Sequence, residues 1–93
     1  MKIEHYNTDK NGFFKAIEDY NEGGVMTYVW AGPGKFIIDH TEVEKAYAGK
    51  GIGKQLVLEA VKYARENHAK ILPLCPYAKS VFDKNPELQD VLF

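Results

Sequence analysis

Cysteine is almost absent from this chain, with one residue, Cys75, among 93. A single thiol closes no internal disulfide and builds no cysteine metal cluster, so no metal site is expected, and it suits a reducing compartment. No apolar run is long enough to span a bilayer. The N-terminus also lacks the basic, apolar and small-residue order of an export signal, and the expected location is cytoplasmic. Charge of one sign is missing too: twelve basic residues stand against thirteen acidic ones, for a net charge of -1. That balance argues against a nucleic-acid footprint and against a polybasic membrane patch. Repeats, linkers and low-complexity segments are absent. What remains is an ordinary globular composition, 45% hydrophobic and 27% charged. A chain of this length reads as one domain, residues 1–93, able to bury about two-thirds of its unfolded surface.

The richest stretch runs from Val43 to Arg65, VEKAYAGKGIGKQLVLEAVKYAR. Gly49, Gly51 and Gly53 alternate between a strand-like run and a long amphipathic pattern, which reads as strand, glycine-rich turn, helix. Ile52, Leu56, Val57, Ala60, Val61 and Ala64 follow the 3.6-residue rhythm of one buried stripe, with Lys54, Gln55, Glu59, Lys62 and Glu66 opposite. A helix N-terminus carries unpaired N–H groups and about half a positive charge, so it favours acidic residues in its first turn. Here Lys50 and Lys54 stand there instead. That choice makes sense if an external phosphate or pyrophosphate occupies the turn, with glycines letting backbone amides approach it. The plainer alternative is a glycine-rich loop with solvated lysines.

The remaining segments predict a mixed sheet. Lys2 to Tyr6 alternates loosely, as a candidate edge strand. Asn11-Gly12 reads as a turn before a strand over Phe13–Asp19. Asn21 to Gly24 reads as the next turn, before the β-branched and aromatic run Val25–Trp30. After a Gly32-Pro33-Gly34 turn, Lys35–Val43 forms the strand feeding the glycine loop. A period of two puts Phe36, Ile38 and His40 on one face of that strand and Ile37, Asp39, Thr41 and Val43 on the other. Lys70–Cys75 is a short strand parallel to it. Pro73 marks either an outer strand or a point where neighbours part. Pro76 suits the first turn of a short helix over Tyr77–Lys84, and Glu87–Phe93 packs back on the sheet.

Spacing speaks against two nucleotide loops. Gln55 stands where a triphosphate loop needs Ser or Thr, and GxGxG is not the dinucleotide GxGxxG. The chain does resemble the GNAT superfamily of acetyl-CoA-dependent N-acetyltransferases, whose loop reads Gln or Arg, two residues, Gly, one residue, Gly or Ala. Gly51 and Gly53 take the two small places, and Ala48 departs from the Gln or Arg. HTEV at His40–Val43, AGKGIGKQLV from Ala48, YAREN at Tyr63–Asn67 and PLCPYA at Pro73–Ala78 extend the likeness over roughly residues 13 to 90. Together they are similar to a minimal single-domain subfamily with a Cys-Pro after the last central strand. The resemblance implies an α/β (α+β) fold: a GNAT-like mixed sheet, an antiparallel meander plus a parallel strand-helix-strand unit and a short C-terminal helix. It also implies acetyl-CoA as cofactor and an unidentified amine acceptor. Its pantetheine arm would lie on the backbone of Thr41, Glu42 and Val43. Its pyrophosphate would sit on Ala48, Gly49, Lys50, Gly51, Ile52, Gly53 and Lys54.

Acetyl transfer needs a neutral nucleophile, a polarised thioester carbonyl and a proton for the leaving thiolate. Cys75, expected at a strand end just before a helix, can serve as proton donor or acyl acceptor; as a buried cysteine it is a small hydrophobe. His40, on the neighbouring strand, is the candidate base for it, or else a structural histidine. Glu42 and Tyr77 are weaker candidates, each with an ordinary structural explanation, and His5 and His68 weaker still. Three classes of function therefore compete: an N-acetyltransferase, a non-catalytic CoA-binding module, and a purely structural interaction domain. Acceptor and oligomeric state are not legible in the chain.

Overall fold

The computed structural model describes residues 1–93. Strands β1 (Lys2–Asn7), β2 (Asn11–Glu18), β3 (Asn21–Trp30) and β4 (Lys35–Val43) are followed by helix α1 (Ile52–Glu66), strand β5 (Lys70–Pro73) and helix α2 (Pro76–Lys84). Short 3-10 turns cover Lys45–Tyr47 and Pro86–Val91. The five strands lie in the order of the sequence. Neighbours among the first four pair antiparallel, and β4 pairs parallel with β5. This is the mixed meander and strand-helix-strand unit the sequence implies, with the loosely alternating first segment as a full edge strand.

Two turns fall elsewhere than expected. Asn11 and Gly12 lie inside β2, and the chain reverses before them, where the Thr8 hydroxyl accepts from the amides of Lys10 and Asn11 at 3.2 and 3.1 Å. Gly12 is required for a different reason: a β-carbon there would collide with the Tyr28 hydroxyl across the hairpin. The second reversal uses Asp19 (φ 49°) and Tyr20 (φ 66°), so Asn21 already belongs to β3. Two consecutive left-handed residues match the twist of a tight hairpin, a geometry usually given to Asn and Gly. The Gly32–Gly34 turn forms as predicted, both glycines at positive φ.

One face of the sheet carries the core. Phe14 and Ala16 of β2, Met26 and Tyr28 of β3, Phe36 and Ile38 of β4 and Ile71 of β5 are buried beneath α1 and α2. The α1 stripe predicted from periodicity is the buried one, Ile52, Leu56, Val57, Ala60, Val61 and Ala64, joined by Gly53. Each fully buried Leu or Val contributes about 1.5–3 kcal/mol over its exposed state. Ala78, Val81 and Phe82 seat α2 in the same cluster. The tail returns to the sheet, Leu92 bridging to Ile71 and the Phe93 amide donating to the Ile71 carbonyl at 3.2 Å. Arg65 holds this return, reaching the Asp90 carboxylate at 2.7 and 3.1 Å and the Glu87 carbonyl at 2.8 Å.

The simple alternation expected for β4 is broken. Tyr28 pairs with Ile38 and Thr27 with His40, which leaves Asp39 as an extra residue on β4. Such a bulge moves every later side chain to the opposite face. Thr41 and Val43 therefore join Phe36 and Ile38 on the helix side, opposite Met26 and Gly24, while His40 and Glu42 stand on the open face beside Thr27 and Val25.

Candidate functional site

The site is built where β4 ends. The Glu44 amide bonds the Gly23 carbonyl at 2.9 Å, fixing the exit from the sheet, and the turn Lys45–Tyr47 swings the chain round to the glycines. Tyr47 packs against Gly23 and its hydroxyl reaches the Glu18 carbonyl at 3.5 Å. Gly49 and Gly51 have φ of 82° and 76°, conformations that a side chain makes costly, and a β-carbon on either would enter open space. The loop is thus a bare run of backbone. Gly51 caps α1, whose first turn holds no acidic residue. The amides of Ile52, Gly53 and Lys54 have no partner within the helix, as in any first turn. Ala48, Gly49, Lys50, Gly51 and Lys54 are exposed around them, and the Lys50 ammonium lies 5.2 Å from the centre of the Tyr47 ring. Ile52 and Gly53 are buried, so they offer the site only their amides.

Beside this loop the parallel pair comes apart. β5 pairs with β4 only from Lys35 to Ile38. The amides of Leu74 and Cys75 both turn to the Ile38 carbonyl, at 3.0 and 3.1 Å, and β5 ends there. Pro73, lacking an N–H, is the last residue of that strand, so it marks the parting. From Asp39 to Val43, β4 has a strand neighbour on the β3 side alone. The backbone of Thr41, Glu42 and Val43 therefore has no strand partner on the other side, a gap in the ladder.

Cys75 lies at that gap and is the N-cap of α2. Burial pushes its thiol up, but the Thr41 hydroxyl, the amides of Ala78 and Tyr77 and the Thr41 backbone pull it down further, and the net effect is below the ordinary thiol value. These are the forces of a helix N-terminus acting on a sulfur. Pro76 at the first helical position has no amide to offer, which leaves the task to the next two residues. The Thr41 Oγ1 is fully buried and has no hydrogen-bond partner.

His40 is not brought to Cys75. Its side chain is 61% exposed on the open face, with Nε2 3.8 Å from Glu42 Oε1. The bulge at Asp39 sends Thr41 to the place that uniform alternation assigns to His40. His5 and His68 lie elsewhere: His5 bonds the Tyr28 hydroxyl at 2.6 Å, and His68 (φ 53°) ends the α1 turn. Tyr77 is partly exposed at the start of α2, with its ring against Gly53. Sequence reasoning missed two roles, the Thr41 hydroxyl and the space at Gly53. One signal for the first was present. Asp39 and His40 are two polar neighbours directly after Ile37-Ile38, a break in period that a bulge explains.

A glycine turn capping the central helix, beside a parallel pair that parts after Ile38, is the architecture of a small mixed α+β domain. Residues 13–91 match the model of the GCN5-related N-acetyl-transferase family, and the chain belongs to that family. A GCN5-like protein from Staphylococcus aureus, solved in solution, superposes with a TM-score of 0.71 at 31% identity, covering 97% of this chain and 87% of that one. The mouse protein NATD1 is 28% identical over 86 residues, 92% of this chain and 77% of its own length. An aminoglycoside N-acetyltransferase solved in complex with CoA shares the fold, with a TM-score of 0.62 at 12% identity over 83% of this chain and 67% of that one.

Proposed function

We propose that the protein is a single domain that binds acetyl-CoA and moves the acetyl group to an amine, with Cys75 carrying it between the two. The observation that supports this reading is the meeting of three features at one end of the sheet: the bare loop Gly49–Gly51, the free edge of β4, and a thiol held below its ordinary pKa. The amides from Ala48 to Lys54 would hold the pyrophosphate, and the Lys50 and Lys54 ammonium groups would offset its charge. The backbone of Thr41, Glu42 and Val43 would take the place of a missing strand toward the pantetheine amides. When bound, the cofactor supplies a thioester, an acetyl group open to nucleophiles.

A depressed thiol pKa favours nucleophilic attack over proton donation, because more of the group is thiolate at neutral pH. The Cys75 sulfur would attack the carbonyl carbon of a bound thioester, its bond to carbon forming as the bond to the leaving thiolate breaks, with water supplying the proton for that thiolate. A neutral amine then attacks the acetyl-cysteine, the amide forms, the Cys75 thiolate leaves, and the amine proton passes to solvent. The open sheet face leaves the amine class unspecified, and the cytoplasm is where acetyl-CoA and a reduced thiol coexist. One observation favours a second reading, a non-catalytic acetyl-CoA-binding module: Cys75 is only 6% exposed.

Two measurements test both. Acetyl-CoA at about 100 times its dissociation constant adds ~2.7 kcal/mol of stability and raises the melting temperature, and ATP does not. Incubation with acetyl-CoA then adds one acetyl mass, labile to hydroxylamine and absent in Cys75→Ala. A melting shift with no adduct and no transfer to amines selects the binding module, and a shift with ATP alone overturns both readings.

A further inference from the structure

A polar hydrogen-bonding group taken out of water without a partner costs about 1–3 kcal/mol, and native proteins hold few of them. The Thr41 hydroxyl is such a group here. It is also the side chain that the Asp39 bulge turns toward the helices, at the level of the Cys75 sulfur. Valine has nearly the same shape and suits a strand as well, so packing at this place does not require the hydroxyl. A neutral thiol is a weak hydrogen-bond acceptor. A thiolate is a strong one, so a hydroxyl left without a well-formed bond beside a thiol gains a strong partner when charge appears on the sulfur.

We propose that Thr41 is a positioning residue for acyl transfer, whose hydroxyl is held without a partner in the resting protein and donates to the Cys75 sulfur when that sulfur carries negative charge. The proposal rests on the reading of Cys75 as the acyl carrier. The free hydroxyl disfavours the resting thiol and favours the two states in which the sulfur is anionic, before attack and as the leaving group of the second transfer. This is stabilisation confined to the charged states, the kind that accelerates a step rather than tightening every state alike. The groups at the sulfur come from three elements: Thr41 on β4, Cys75 itself at the end of β5, and the Tyr77 and Ala78 amides of α2. His40 and Glu42, the ionisable neighbours of Thr41 on its own strand, lie on the other face of the sheet. Tyr77 is the one ionisable side chain among the α2 residues whose amides meet the sulfur.

The test compares Thr41→Val, which removes the hydroxyl and keeps the shape, with Thr41→Ser, which keeps the hydroxyl. As the chain has one cysteine, thiolate absorbance near 240 nm, with Cys75→Ala as the blank, titrates this sulfur directly and needs no ligand. Thr41→Val moves the titration to higher pH, and Thr41→Ser stays with the parent. The Thr41→Val fold is no less stable to urea, since it loses an unsatisfied group. Acetylation by acetyl-CoA slows about tenfold or more in Thr41→Val, the size of a lost hydrogen bond to a charged group, while the acetyl-CoA melting shift stays in place. An unchanged titration in a folded Thr41→Val protein overturns the proposal. If the parent protein shows no acetyl-CoA melting shift and no adduct, the functional reading fails on its own, and the titration still decides whether Thr41 governs the thiol.

Discussion

The Tyr77 ring occupies the space that a β-carbon on Gly53 would need, with its Cε2, Cζ and hydroxyl oxygen each 2.6 Å from that position. The third glycine of the loop thus differs from the first two. Gly49 and Gly51 are bare for the backbone's sake, whereas Gly53, buried in the first turn of α1, makes room for the start of α2.

Gly53→Ala therefore sets two effects against each other. Alanine favours a helix over glycine by about 1 kcal/mol, and what it displaces is the far end of a tyrosine that is 42% exposed and can swing aside. The expected outcome is a gain of stability in urea that is smaller than in a Tyr77→Ala background, where no ring has to move. A double-mutant cycle reads the coupling directly, and additive effects would mean that the two residues do not press on each other.

Gly51→Val meets no atom but meets its own backbone. A β-branched residue at φ 76° is strained, and the branched side chain would project into the loop mouth. We expect a folded protein, less stable by about 1–3 kcal/mol, whose melting temperature no longer responds to acetyl-CoA. Ala48→Arg, at an exposed position, leaves the parent fold unchanged and the acetyl-CoA response equal or larger.

Acidification weakens the N-terminal edge of the sheet. His5 stacks on Phe14 at 4.1 Å and meets Tyr63 edge-on at 4.5 Å. This burial holds its pKa below the ordinary value, with Glu59 pulling the other way. A histidine depressed in the folded state gives its stability above the unfolded pKa and loses it as pH falls from about 6.5 through the folded value. Half-exposed, the group contributes modestly. His5→Gln should flatten the stability profile across that window while Asp90, depressed chiefly by its Arg65 partner, still gives a loss at lower pH. An equal slope in the variant would place the titrating group elsewhere.

Gly12→Ala tests the other close approach. Tyr28 is fixed at its hydroxyl by His5 at 2.6 Å and Asn7 at 2.8 Å, and Asn7 also accepts from the Trp30 indole at 2.8 Å. Burial, chiefly, raises the Tyr28 phenol well above its usual pKa, so it stays neutral at any working pH. An alanine at 12 would break this set, costing about 1–2 kcal/mol as the loss of a partly buried network. A near-ultraviolet circular dichroism change would accompany it, since the cluster is aromatic.

Periodicity made α1 legible because one buried stripe of seven residues is a strong signal, and turn chemistry located the Gly32–Gly34 reversal. It misplaced the hairpin at Asp19-Tyr20 because the structure uses non-glycine residues at positive φ there, against their local preference. The glycine loop was legible since its conformation demands its residues. The β4 side chain nearest Cys75 was not, because one extra residue at Asp39 inverts the strand beyond it and exchanges His40 for Thr41. The contact of Gly53 with Tyr77 was not legible, because composition does not show which neighbour a missing β-carbon makes room for.

Strand order that follows chain order has a kinetic meaning. β1 to β4 close through short connections, so these pairings cost little loop entropy and form early. The β4–β5 pairing must instead close over the 26 residues between Val43 and Lys70, and the tail on Ile71 follows it. The gap beside Cys75 therefore gains its second wall, β5 and the start of α2, only in the last steps of folding. By the same ordering, partial opening of native molecules should begin with the tail and β5, and exchange-protected amides should thin out toward Cys75 while the β2–β3 centre remains closed.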